Sequence, residues 1–143
     1  MNKLSRKIIG WIIYAAVLVA LVMGMPKALS YYLKTGYPMA AITSGSMWPT
    51  LKSGDLVLIR GISAAGDIQN GDIVVYQNHR GFTIHRVVAK NNDTFITKGD
   101  ANNVFDIPVP YAALVGKAVV WRGKPVRMPL LGNLSIFLNQ NRP

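Results

Sequence analysis

The chain has 143 residues, enough for one domain with a real hydrophobic core. Its 16 Lys and Arg outweigh six Asp, with no Glu, for a net charge of +10. The positives stand singly between apolar runs instead of forming one concentrated patch, which argues against nucleic acid as a partner. The absence of Cys excludes disulfides, thiolate metal sites and a Cys nucleophile.

From Ile8 to Met25 there are 18 consecutive uncharged residues. As a helix rising about 1.5 Å per residue they make a rod of roughly 27 Å, close to the thickness of a bilayer's hydrocarbon core. The run is apolar on all faces, and Pro26 is expected to stop it. Lys3, Arg6 and Lys7 precede it, whereas Lys27 and Lys34 follow more sparsely. The positive-inside rule therefore predicts residues 1–7 in the cytoplasm, 8–25 as a transmembrane anchor and the rest on the exported side. Trp11 and Tyr14 fall near the cytoplasmic head groups. The rival is a cleaved secretory signal with Ala28-Leu29-Ser30 as its processing site, but the run is long for that purpose and Pro26-Lys27 approaches it awkwardly. The remaining basic residues suit a domain lying close to anionic lipid, each worth about 1 kcal/mol near the surface.

Residues 26–36 read as a short, partly helical connector, and 37–125 as a β-domain. Tyr37 to Thr43 is extended, with Pro38 tolerated at a strand start. Ser44-Gly45-Ser46-Met47-Trp48-Pro49-Thr50 is a hydroxyl-rich turn. Gly45 has access to backbone angles closed to other residues, and Pro49 fixes its own φ, so the turn is suited to presenting Ser46 Oγ from a rigid backbone beside Ser44. Asp55 to Arg60 and Ile73 to Tyr76 are strands, each launched by a Gly-Asp pair, which makes Asp55 and Asp72 turn formers. Phe82 to Val88 alternates, with Thr83, His85 and Val87 on one face. Asn91-Asn92-Asp93 marks a hairpin before Thr94 to Lys98, and a polar loop carries Asp100 and Asp106. Ile107-Pro108-Val109-Pro110 is poor material for a central strand. Leu114 to Trp121 is the last strand; the tail, 126–143, is apolar but broken by Pro129 and Gly132. Too short to span hydrocarbon, it is expected at the interface or against the membrane face. Six or seven short strands without a long helix after residue 36 predict a mainly β fold, a curled antiparallel sheet or partly closed barrel.

Acyl-transfer chemistry needs a nucleophile, a base and a group that orients an imidazole. The chain offers Ser46, His85 and the loop carboxylates Asp100 and Asp106. Ser44 Oγ and the Ser46 N–H are candidates for oxyanion donors. His79 lies in a polar turn. Two histidines without an HExxH spacing make a poor metal site.

Four motifs, taken together and in order, resemble type I signal peptidases of the endoplasmic-reticulum and archaeal type. They are Ser44-Gly45-Ser46-Met47-Trp48-Pro49-Thr50 with Gly54-Asp55; Gly71-Asp72-Ile73-Val74-Val75-Tyr76; His85-Arg86-Val87; and Thr97-Lys98-Gly99-Asp100-Ala101-Asn102-Asn103 followed by Asp106. Trp48 and Ala101 depart from the residues usual at those positions. The resemblance implies a membrane-bound serine endopeptidase that removes signal peptides from secretory preproteins after small-x-small sequences. Ser46 would be the nucleophile, His85 the general base, Asp106 the third member of the triad, and Asp100 a further acidic position of the family. Ser44 would help hold the oxyanion. Substrate would lie along Met39, Ala40, Ala41, Ile42 and Thr43. The resemblance implies no cofactor, no metal and no nucleic acid. Besides preproteins, the implied partners are membrane lipid and a protein-export translocon or other subunits. The location would be the cell membrane, or the endoplasmic-reticulum membrane in a eukaryote. Two rivals stay open: a Ser-Lys enzyme using Lys52 or Lys98, and a non-catalytic, membrane-tethered peptide-binding or scaffolding subunit.

Overall fold

The computed structural model describes residues 2–140. Met1 and residues 141–143, ends of the expected cytoplasmic segment and tail, lie outside the described residues.

Helix α1 spans Lys3–Leu33, 31 residues, or about 46 Å. It does not stop at Pro26. Proline costs the helix one backbone bond, to the Val22 carbonyl, and the turns on either side carry it through. The end comes at Lys34, which adopts the left-handed conformation at φ 50°. There the Thr35 N–H reaches back to the Ser30 carbonyl at 3.2 Å. None of α1 is buried. It is the one helix among the described residues long and apolar enough to cross a membrane.

The Leu33 carbonyl, left over at the helix end, accepts the Gly61 N–H at 2.7 Å. A Cβ on Gly61 would fall 1.8 Å from the Lys34 carbonyl oxygen, so only glycine lets helix and β-domain meet here.

The main sheet contains β1 (Met39–Ala41), β2 (Leu56–Arg60), β3 (Ile73–Asn78), β4 (Gly81–Lys90), β5 (Thr94–Lys98), β6 (Val109–Pro110) and β7 (Leu114–Ala118), in the order β1-β2-β7-β3-β4-β5-β6. A small hairpin, β8 (Val120–Trp121) and β9 (Lys124–Pro125), leads to β10 (Arg127–Met128), which returns to pair with β2. The expected strand 114–121 is thus divided, and part of the tail joins the sheet.

Strand β3 sits at the centre and is buried on both sides. Ile73 and Val75 join Ile42, Met47, Leu51, Val57, Ile59 and Ala118 on one face. Val74 and Tyr76 join Ile68, Val87, Phe95 and Val109 on the other. Loops and short helical turns cover the sheet, and this explains its near-continuous apolar reading.

The expectation of a curled sheet or partly closed barrel is not met. The sheet is open, running from β1 at one end to β6 at the other, and among the described residues no ladder joins them. The edges are poorly made for closure: β1 has three residues and β6 two. Pro108 and Pro110 also remove the N–H groups that a closing ladder would use.

The second departure is helix α2, Leu131–Gln140. Pro129 precedes it, and Gly132 lies against the domain, its N–H on the Gly54 carbonyl at 2.9 Å. A Cβ there would stand 2.5 Å from the Asp55 carbonyl oxygen, so this glycine serves close packing and does not break the helix.

Candidate active site

Ser46 occupies the turn after β1. Met47 and Leu51, both fully buried, pin this turn to the core, and the Leu51 N–H to Met47 carbonyl bond of 2.9 Å closes it. Gly45 is not among the glycines with positive φ, which are Gly54, Gly71, Gly81 and Gly123. The glycine that matters is Gly99, in the loop after β5, and it matters for close approach. The neighbouring Ala101 N–H donates to the Ser46 carbonyl at 2.8 Å, and a Cβ on Gly99 would lie 2.6 Å from that oxygen.

His85 lies on β4 opposite Val74 of β3 and is buried, sharing a face with Val87. Its Nε2 is 3.1 Å from Ser46 Oγ. Its Nδ1 is 2.5 Å from Asp106 Oδ2. With the Nδ1 proton held by the carboxylate, the Nε2 lone pair faces the serine hydroxyl. The Asp106 N–H donates to the Thr97 carbonyl at 2.8 Å, which lays the end of the loop along β5. Thr97 Oγ1 and the Tyr76 hydroxyl both donate to Asp106 Oδ2, at 2.7 and 3.3 Å. Burial pushes the Tyr76 hydroxyl above its ordinary pKa, and the Asp106 charge adds to that, so it stays protonated. This arrangement has the parts for moving a proton from a serine to an imidazole and back.

Residues 24–119 match the family model described as Peptidase S24-like. The signal peptidase complex catalytic subunit of Leptosphaeria maculans is 33% identical over 150 aligned positions, covering 95% of this chain and 83% of that protein. That of Fusarium vanettenii is 31% identical, covering 82% and 73%. This chain belongs to the S24-like and signal-peptidase family of peptidases. Signal peptidase I W of Bacillus subtilis, 34% identical, aligns with 50% of this chain and 40% of its own. Family membership and α1 together make the chain a membrane-associated peptidase.

The other residues singled out in the sequence fall into two groups. Ser44 is exposed, and its Oγ is 3.1 Å from Ser46 Oγ. The Ser46 N–H has no acceptor among the described residues. Asp100, by contrast, turns to Arg86, which grips it with Nε and an Nη at 2.8 and 2.7 Å. Burial works to raise the Asp100 pKa, but the hydrogen bonds from Arg86 and Thr50 and the guanidinium charge outweigh it and hold the carboxyl below its ordinary value. The same guanidinium reaches the Gly71 carbonyl at 2.8 Å. Asp100 therefore braces the strand next to His85, while Asp106 contacts the ring.

Along β1 the ladder uses the Pro38 carbonyl and the Ile42 N–H towards β2. By strand alternation the backbone groups of Met39, Ala41 and Thr43 point to the open edge, and those of Ala40 and Ile42 point inward. The Ile42 side chain is buried in the core. Lys98 Nζ lies 5.5 Å from the Phe105 ring centre, Lys52 is exposed, and it is His85 that is bonded to Ser46. His79 is exposed in the turn between β3 and β4. Thr97 and Tyr76 escaped the sequence reading. The signal was a hydroxyl at an inward position of β5, where Phe95 and Thr97 alternate as buried residues.

Proposed function

We propose that the protein is a membrane-bound serine endopeptidase that cleaves signal peptides from exported preproteins after small-x-small sequences. The observation that carries the reading is the continuous hydrogen-bonded line from Ser46 Oγ through His85 to Asp106. Ser46 Oγ attacks the scissile carbonyl as Nε2 takes its proton; Asp106 orients the imidazole and balances the charge it acquires. Ser44 Oγ and the Ser46 N–H stabilise the oxyanion. The C–N bond then breaks, Nε2 returns the proton to the leaving amine, and water hydrolyses the serine ester.

The substrate adds as a strand to the open edge of β1, bonding to the outward backbone groups of Met39, Ala41 and Thr43, and is so led to Ser46. Shallow contacts beside the serine reject all but small side chains. The helix α1 spans the membrane with its N-terminus in the cytoplasm and the β-domain on the exported side, which concentrates the enzyme where its substrate's own apolar segment lies.

The test is cleavage of a preprotein by the full-length protein in liposomes, with the new N-terminus sequenced. Wild type cuts after a small residue; Ser46→Ala and His85→Ala do not. Retained cleavage by His85→Ala would falsify the base assignment. A wild type that binds preprotein, never cuts it and never reacts with a serine-directed acylating probe would be a tethered binding subunit instead.

A further inference from the structure

We infer that Thr97 and Tyr76 are positioning residues that hold the Asp106 carboxylate, and through it the His85 ring, in the orientation Ser46 needs; this rests on the serine-peptidase reading above. All three contacts converge on one oxygen, Oδ2: His85 Nδ1 at 2.5 Å, Thr97 Oγ1 at 2.7 Å and the Tyr76 hydroxyl at 3.3 Å.

Asp106 needs outside support. It sits in a loop whose neighbours Phe105 and Ile107 are 67% and 80% exposed, so the flanking side chains do not anchor it in the core. Thr97 and Tyr76 are 0% and 4% exposed and belong to β5 and β3, the paired framework of the sheet. Thr97 grips Asp106 twice, since its carbonyl also takes the Asp106 N–H at 2.8 Å. The Tyr76 ring is set edge-on against Phe95, centroids 6.0 Å apart, which aims its hydroxyl. The two hydroxyls are themselves 3.3 Å apart. Each has one proton, and the shorter Thr97–Asp106 contact assigns the threonine's to the carboxylate. A hydroxyl at a core position of β5, where valine would pack equally well, is costly unless bonded.

Removing either donor frees the carboxylate to turn and loosens the ring it orients, so kcat falls. Neither side chain belongs to the proposed substrate edge, so KM stays the same.

The experiment compares the full-length wild type, Thr97→Val, Thr97→Ser, Tyr76→Phe, Ser46→Ala and His85→Ala in detergent on a preprotein, with kcat and KM measured separately and folding followed by circular dichroism. Thr97→Val is expected to lower kcat about tenfold or more, the worth of a hydrogen bond to a charged group. Its KM is unchanged. Thr97→Ser restores most of the rate, and Tyr76→Phe lowers kcat by less at unchanged KM, its contact being longer. If Thr97→Val does not fold, Tyr76→Phe carries the test with the same two readouts. A folded Thr97→Val with wild-type kcat overturns the inference, as does a Thr97→Ser as impaired as the valine variant. His85→Ala as active as wild type overturns the underlying reading and this with it; an inert His85→Ala beside a wild-type-like Thr97→Val overturns only the positioning role.

Discussion

Gly99→Ala tests how Ser46, the proposed nucleophile, is held. Gly99 has no positive φ, so alanine can adopt its backbone conformation; the problem is space. The new Cβ would lie 2.6 Å from the Ser46 carbonyl oxygen and 2.7 Å from the Asn102 side-chain nitrogen. Asn102 can rotate away. The carbonyl cannot, because it is backbone and already accepts the Ala101 N–H at 2.8 Å. Restoring ordinary contact requires a retreat of about 0.8 Å, which passes directly to Ser46 Oγ, now 3.1 Å from His85 Nε2. Misplacement of reacting groups by about 1 Å costs on the order of 10²-fold in rate. Overpacking of this kind costs stability by about 1–3 kcal/mol. Preprotein turnover is therefore expected to fall about 100-fold while the protein still melts cooperatively. Gly66→Ala, where the Cβ meets open space, serves as the control and should match wild type. A Gly99→Ala protein with wild-type turnover would refute the claim that this loop sets the serine's position.

Acidification should release the brace beside His85. The Asp100 pKa is lowered in the fold, so its contribution to stability is complete above the unfolded value of about 3.9 and is lost as pH falls through the lower folded value. In melts from pH 7 to pH 2, Asp100→Asn should be destabilised against wild type at neutral pH, by about 2 kcal/mol for the charge-assisted pair, with the gap closing below pH 4; a gap that persists to pH 2 would contradict the ion-pair account. Phe95→Ala empties a fully buried site between Tyr76 and Tyr111 and should cost about 3–5 kcal/mol by denaturant titration. Gly132→Ala pushes a Cβ to 2.5 Å from the Asp55 carbonyl oxygen; it should undock α2, seen as faster proteolysis after residue 129, with the melting of the sheet little changed.

The sequence announced the serine turn and the histidine strand because local rules govern both: a hydroxyl between Gly and Pro, and a polar residue on an alternating strand. Choosing between Asp100 and Asp106 was beyond any spacing rule. That choice depends on Arg86, which takes Asp100, and on the Asp106 N–H bonding the Thr97 carbonyl. The contacts of Thr97 and Tyr76 with Asp106 were illegible for the same reason, since that partner lies on a loop that folds back. Pro26 misled because a proline's local cost does not outweigh the turns on either side. Gly132 misled because a glycine can serve close packing as well as a break. Whether a sheet closes depends on its last strands, and those here were the shortest and least periodic parts of the chain.

The Gly61 N–H held by the last carbonyl of α1 removes slack between rod and domain. A domain on a floppy leash would sample many heights above a bilayer and cut at many registers. On the proposed reading, one seated directly on its stalk would work at a fixed stand-off, so the distance from a substrate's apolar stretch to its cut bond would become a measured length.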